Sequence, residues 1–352
     1  MSCLALGSLL LLCLFGETAA FSLSRLLTGD GAASFPVAQT LRKTQSRTPV
    51  LRMHFAEALA ENKALTSESL LPERYVATNR FKVRPGKGPA FEKRWADRKS
   101  RLAELDGFRF FALLRRTEAE GVDYSSEGDF GNYVSFTVWE DKEAFEAWRT
   151  GDAFKEAHGG GGIMSFIQLL STALFIVDGA PKPAFYDALI PVPGERLDFA
   201  SDGGWRTVKA DGETALPGEI FVSQNRFSVR AGKEAEFEQK WKQRESKLKE
   251  SDGFVGFLLL RRDATKADDG YNYMVTTIWR DRAAFSNWRS SAQFKAAHAN
   301  ASPPPPPVSD SADSSSSSVV PPTSSTPEGL YLGPPKLRFF EGVLTLSSQK
   351  GV

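Results

Sequence analysis

The sequence predicts an α+β fold: two tandem ferredoxin-like (β-α-β-β-α-β) domains that together form an intramolecular dimeric α/β barrel. Three observations lead there. A fifteen-residue stretch occurs twice, as AFEAWRTGDAFKEAH at 144–158 and AFSNWRSSAQFKAAH at 284–298. Outside it the chain repeats at a nearly fixed offset: Asn79/Asn225, Trp95/Trp241 and Gly107/Gly253 are 146 apart, and Trp139/Trp279 are 140 apart. The signals for strands, turns and helices also follow the same order in both copies.

Each copy opens on a strand. In Tyr75–Val83 the residues Tyr75, Ala77, Asn79, Phe81 and Val83 share one face, while Thr78, Arg80, Lys82 and Arg84 share the other. Phe221–Val229 repeats this, with Phe221, Asn225, Phe227 and Val229 inward. Period two marks a half-buried strand. Turns follow at Arg84-Pro85-Gly86 and Arg230-Ala231-Gly232, then a helix whose apolar stripe is Phe91, Trp95 and Leu102, or Phe237, Trp241 and Leu248. Asp106-Gly107 and Asp252-Gly253 stop that helix at a residue free to take a left-handed backbone. The second strands read FRFFALLRR and FVGFLLLRR, the third YVSFTVW and YMVTTIW. The polar loop between them is six residues shorter in copy two, a change that a surface loop tolerates.

Asp141 and Asp281 fit as N-caps of a second helix, which carries Phe145 and Trp148, or Phe285 and Trp288. Gly151-Asp152 and Ser290-Ser291 interrupt it, and a short helix then ends at His158 or His298. A fourth strand lies within 179–192 and again within 333–346. There the offset has grown to 154, an insertion that coincides with Pro303–Pro307 and Ser314–Ser318. A tract of that composition forms no core, so 302–328 reads as a disordered loop inside copy two. The domains are thus 72–192 and 219–348, with a linker at 193–218 in which Trp205 packs locally. Helices cover one face of each open sheet. The other face must also be buried, and two copies in one chain can stack those faces on each other.

At 352 residues the chain has room for two domains. A net charge of +1 and the lack of a basic stripe argue against nucleic acid as a partner. The two cysteines, Cys3 and Cys13, lie in the apolar N-terminal stretch, whose run at 4–15 is too short to span a bilayer. Small residues Thr18, Ala19 and Ala20 follow, so 1–20 reads as a signal peptide whose removal leaves a mature chain with no thiol and no membrane span. Residues 21–55 are rich in Ser, Thr and Arg and poor in acids, as a transit peptide is. A two-part leader of this kind directs a chain to a plastid bounded by extra membranes; the alternative is secretion or an endomembrane lumen. Residues 56–70 read as a short amphipathic helix ahead of the first domain.

Three residue types recur at matched positions. The chain has three histidines, and two of them, His158 and His298, occupy one motif position. Each lies four residues after a phenylalanine, Phe154 or Phe294, and so shares its helical face. No second histidine, cysteine or carboxylate cluster accompanies either one, so a zinc site lacks ligands. A lone imidazole among aromatic neighbours suits a metal that brings its other ligands, as haem iron does; the alternative is a structural histidine. Asn79 and Asn225 place an amide on an apolar face, which costs a few kcal/mol unless it is paired, for instance with neighbouring backbone. Trp148 and Trp288, judged by helix pattern alone, read as core.

The combination of N-R-F with T-V-W…AF…W…F-K-x-A-H resembles the antibiotic biosynthesis monooxygenase (ABM) superfamily, and within it the IsdG-type haem-degrading monooxygenases. The likeness covers roughly a hundred residues of each copy. It implies that His158 and His298 ligate haem iron, that Asn79 and Asn225 donate a hydrogen bond to the distal oxygen, and that Trp148 and Trp288 press on the porphyrin and ruffle it. Haem is then both cofactor and substrate, and O2-dependent cleavage of the porphyrin releases iron. Electrons come from an external donor, since no G-x-G-x-x-G unit is present; in a plastid that donor would be ferredoxin. The alternatives are a haem-binding or buffering protein without turnover, and a cofactor-free oxygenase of the same superfamily acting on a quinol or other aromatic. Two departures stand out. Members of this family pair as separate chains, whereas here the pseudo-dimer lies within one. Four glycines follow His158 but Ala-Asn-Ala follows His298, so equal activity in the two copies is not expected.

Overall fold

The computed structural model describes residues 69–117, 131–157, 172–244, 247–263, 269–298, 329–348 and 350–352. The leader, most of the amphipathic stretch before the first domain, and 302–328 lie outside the described residues. In copy one, β1 (Arg74–Phe81), β2 (Phe108–Arg116), β3 (Tyr133–Trp139) and β4 (Lys182–Pro193) form where the alternation places them. A small hairpin, β5 (Ser201–Asp202) and β6 (Trp205–Arg206), occupies the linker. Copy two then supplies β7 (Ile220–Phe227), β8 (Phe254–Arg262), β9 (Tyr273–Trp279) and β10 (Lys336–Ser347).

Within each copy the fourth strand lies beside the first, then the third, then the second. The fourth strands do more than finish their own sheets. β4 pairs with β1 on one edge and with β8 of copy two on the other, and β10 pairs with β7 and with β2. The result is a closed antiparallel barrel in the order β1-β3-β2-β10-β7-β9-β8-β4, and closure leaves no open sheet edge. Both crossing strands carry a bulge, between Ala188 and Ile190 and between Gly342 and Leu344, which adds the twist that closure needs. The bulged residues exchange cores. Leu189, from copy one, packs into the outer core of copy two, and Val343 does the reverse.

Closure corrects the reading of the first strands as half-buried. Their second face is the barrel interior, where Val76, Phe110, Phe136, Val222, Ile278 and Phe340 pack together. Arg80 and Arg226 lie there too, 4% and 3% exposed. A buried charge is tolerated only when paired. Asp269 of copy two meets Arg80 of copy one at 2.6 Å and Arg262 at 2.6 Å. Burial pulls the Asp269 carboxyl up, yet the two guanidinium groups hold it below the usual carboxylate range.

The first helix of each copy is also shorter than its apolar stripe implied. α1 (Gly88–Ala96) ends at Asp97, and Leu102 sits on a separate 3-10 turn, Leu102–Glu104. Between them Asp-Arg-Lys-Ser-Arg offers nothing apolar to press against the sheet. α2 (Lys142–Thr150) and α3 (Asp152–Ala157) complete copy one; α4 (Glu234–Lys242), α5 (Arg282–Ser290) and α6 (Ala292–His298) are their counterparts. Gly107 and Gly253 do take positive φ, 74° and 71°. Their task is close approach rather than ending a long helix: a Cβ at Gly107 would lie 2.4 Å from Ala144 Cβ, at the start of α2. Trp205 is buried, its ring against Phe111 and its indole N–H donating to the Trp95 carbonyl at 3.2 Å. Among the described residues no helix is long and apolar enough to cross a membrane.

Gly107 and Gly86 share a left-handed backbone, but only Gly107 has a neighbour that a Cβ would strike. Gly86→Ala is expected to cost about 1 kcal/mol for the backbone alone, and Gly107→Ala about 2–3 kcal/mol. Urea denaturation of the two variants measures the difference, and equal losses would contradict the close-approach role.

Candidate functional site

Strand register lays out the floor of a groove on the outer face of each copy. β1 and β3 pair in rungs, and the outward ones are Tyr75/Trp139, Ala77/Thr137, Asn79/Ser135 and Phe81/Tyr133. Large aromatic rungs stand at both ends and small polar ones in the middle. Each helix covers one end. Phe145 of α2 packs on Tyr75 at 5.3 Å and Trp148 on Trp139 at 5.3 Å. Phe91 and Trp95 of α1 pack on Phe81 at 5.2 and 5.9 Å. Between the two aromatic-clad ends lie the small side chains of Ala77, Thr137, Asn79 and Ser135, the floor of the candidate groove.

Copy two repeats the plan with rungs Phe221/Trp279, Ser223/Thr277, Asn225/Val275 and Phe227/Tyr273. Its helices close the same ends. Phe285 packs on Phe221 at 5.0 Å and Trp288 on Trp279 at 5.3 Å, while Phe237 and Trp241 pack on Phe227 at 5.4 and 6.0 Å. The groove thus follows from the order of large and small side chains along two strands.

The structure brings Asn79 and Trp148 to one groove and Asn225 and Trp288 to the other. Both asparagines are half-buried. The pairing with neighbouring backbone that would make Asn79 an ordinary strand residue is missing for its Oδ1, which is buried with no hydrogen-bond partner. Trp148 is half-buried, with Phe154 of α3 edge-on at 5.0 Å. Trp288 meets Phe294 of α6 in the same way at 4.7 Å. Each indole is therefore clamped between a strand tryptophan and a phenylalanine of the short helix. His298 is the last residue of α6, one helical turn beyond Phe294; His158 lies outside the described residues, just past α3. α2 and α5 start where predicted, with Asp141 and Asp281 each accepting from the third backbone N–H at 2.8 Å.

A fully buried glutamate that the sequence reading missed fixes the opposite wall. Glu92 of α1 accepts from the Tyr133 hydroxyl at 2.7 Å, Arg115 at 2.7 Å and the backbone N–H of Leu216 at 2.6 Å. Glu238 of α4 accepts from Tyr273 at 2.7 Å, Arg261 at 3.0 Å and the N–H of Leu70 at 2.6 Å. Burial, then the bond to the glutamate, pushes each tyrosine hydroxyl well above its ordinary pKa. The available signal was a glutamate beside Phe91 or Phe237 on the apolar side of its helix. Two further features were missed: Ser135, a lone hydroxyl in the run YVSFTVW before its threonine, and the Trp139 indole N–H, buried without a partner. Among the described residues no group of three or more His, Cys, Asp or Glu could hold a metal ion on its own. A shallow surface depression of about 620 Å³ lies elsewhere, between Pro193–Glu195 and Lys249–Phe254.

The chain is similar to known proteins. The sequence model described as "Antibiotic biosynthesis monooxygenase" matches twice, at residues 74–160 and 220–300. A haem oxygenase (mycobilin-producing) of Mycobacterium tuberculosis is 38% identical over 85 residues, which is 24% of this chain and 70% of that protein. A haem oxygenase (staphylobilin-producing) of Staphylococcus saprophyticus is 31% identical over 86 residues, 24% of this chain and 74% of that protein. The solved structure of a Fusobacterium nucleatum protein covers 80% of this chain and 98% of its own at 11% identity, with a TM-score of 0.47.

Removing the glutamate from the α1 wall leaves the buried Tyr133 hydroxyl and the Leu216 N–H without their acceptor, while Arg115 keeps Glu341. Glu92→Ala is therefore expected to lower the unfolding free energy by about 3 kcal/mol. Thermal and urea unfolding check this, and a loss under about 1 kcal/mol, the scale of an exposed ion pair, would contradict the role given to Glu92.

Proposed function

The chain belongs to the antibiotic biosynthesis monooxygenase family, and from that membership we propose that it is a haem-degrading monooxygenase with one site in each copy. The observation that carries the reading is the rung pattern. A flat, largely apolar ligand fits between two aromatic walls over a floor of small side chains, and the floor holds a carboxamide whose buried oxygen has no partner. An orphaned polar atom costs about 1–3 kcal/mol, so Asn79 is not an ordinary core residue of its strand. The two haem oxygenases that resemble the chain support the same substrate.

When bound, haem supplies the iron that activates O2 and the macrocycle that is oxidised. The protein's part is to hold and to aim. His298, the last residue of α6, and His158, the residue after α3 in the sequence, would be the imidazoles that hold the iron. Asn79 and Asn225 would offer carboxamide N–H groups from the floor to the bound ligand. Trp148 and Trp288 would press on the ring, each braced by Trp139 or Trp279. Aromatic walls keep water from the groove, which strengthens a hydrogen bond made inside it. Electrons come from an external donor.

The test is to titrate the purified chain with haemin and then add ascorbate in air. Loss of the Soret band with release of ferrous iron is expected. It should fall at least about a hundredfold in His158→Ala/His298→Ala, as expected when a metal's own ligand is removed. A Soret band that forms and then persists would favour storage without turnover. No Soret band at all would favour a cofactor-free oxygenase.

A further inference from the structure

The two grooves share a plan but differ at the asparagine. Asn79 stands between Ser135 on β3 and Pro183 on β4. Asn225 stands between Val275 on β9 and Leu337 on β10. Directly opposed residues in an antiparallel pair have Cβ atoms about 5 Å apart on the same face, within reach of a serine hydroxyl and a carboxamide. Val134 and Phe136 face the barrel interior, so Ser135 between them faces the groove. The neighbouring rung differs as well. In copy two the Trp279 indole N–H donates to the Thr277 hydroxyl at 3.2 Å, whereas in copy one Trp139 Nε1 is buried without a partner. Copy one therefore has two orphaned polar atoms on its floor, Asn79 Oδ1 and Trp139 Nε1, and the corresponding atoms of copy two are not among the orphans.

A carboxamide offers oxygen at one end and N–H at the other, and its neighbours decide which end faces the ligand. A hydroxyl beside it can donate to Oδ1 and so turn Nδ2–H outward; a valine cannot. We infer that Ser135 is the positioning residue that makes the two sites unequal: rotated about χ1, its hydroxyl donates to Asn79 Oδ1 and aims the Asn79 N–H at the ligand, while Asn225, set between Val275 and Leu337, has no such partner. Copy one is then the faster site and copy two the slower. This rests on the haem reading above, and extends it from which residues touch the ligand to which copy works.

The experiment uses full-length chains with one site each: His298→Ala leaves copy one, and His158→Ala leaves copy two. Two readouts are taken, the ascorbate-driven loss of the Soret band and the C–O stretching frequency of the ferrous carbon monoxide complex. That frequency reports a donor near the ligand and is independent of turnover. The copy-one chain is expected to degrade haem about tenfold faster, the factor that one hydrogen bond of ordinary strength carries. Ser135→Val should remove that advantage and shift the stretch while haem affinity stays within about twofold. Ser135→Thr keeps the hydroxyl at the volume of valine and should retain both, and Val275→Ser should speed copy two. If Ser135→Val leaves rate and stretch where they were, or if the two single-site chains already match, the inference is overturned and the haem reading stands. If neither single-site chain develops a Soret band, the haem reading itself fails and the inference falls with it.

Discussion

Two seams of backbone hydrogen bonds, β2 with β10 and β4 with β8, set the terms for everything else in the molecule. They join the copies edge to edge, so the inner faces of both sheets become one interior and neither copy keeps an open edge. Each long fourth strand serves both copies at once, and its bulge passes a leucine or a valine into the other copy's core. The constraint reaches to individual charges. Arg80 lies in the interior with Asp269, from the other copy, as its charge partner.

With the inner faces used up by closure, the outer faces carry the helices and the grooves between them. A groove exists because two rungs of each strand pair are small while the rungs beyond them are aromatic. The aromatic ends seat the helices, and the small rungs lie between those contacts. Glu92 and Glu238 then fix one wall through tyrosine, arginine and a backbone N–H contributed by the segment that precedes the other copy's first strand. The same plan, made twice, leaves room for a different residue at the rung beside each asparagine.

Much of this was legible in the sequence, because duplication let each copy check the other. Strand positions, the aspartate caps and the helix-facing side of Asn79 and Asn225 all follow from alternation and offset. The interior position of Arg80 and Arg226 did not, since period two distinguishes two faces without saying that both are buried. Helix length was overread because Leu102 and Leu248 kept the apolar spacing across a polar gap that no helix bridges. Ser135 is visible as a letter, but its meaning depends on the cross-strand register that sets it against Asn79. His158 lies outside the described residues, and of His298 only the backbone position is given, so the role of both imidazoles rests on the resemblance and on where the short helices lead.

Counting haem equivalents per full-length chain by Soret titration tests the central claim, that each copy holds a haem site, most directly. Saturation at two equivalents, falling to one when either His158 or His298 is replaced by alanine, is the expected result. A titration that shows no saturable Soret band, or one indifferent to both histidines, would contradict it.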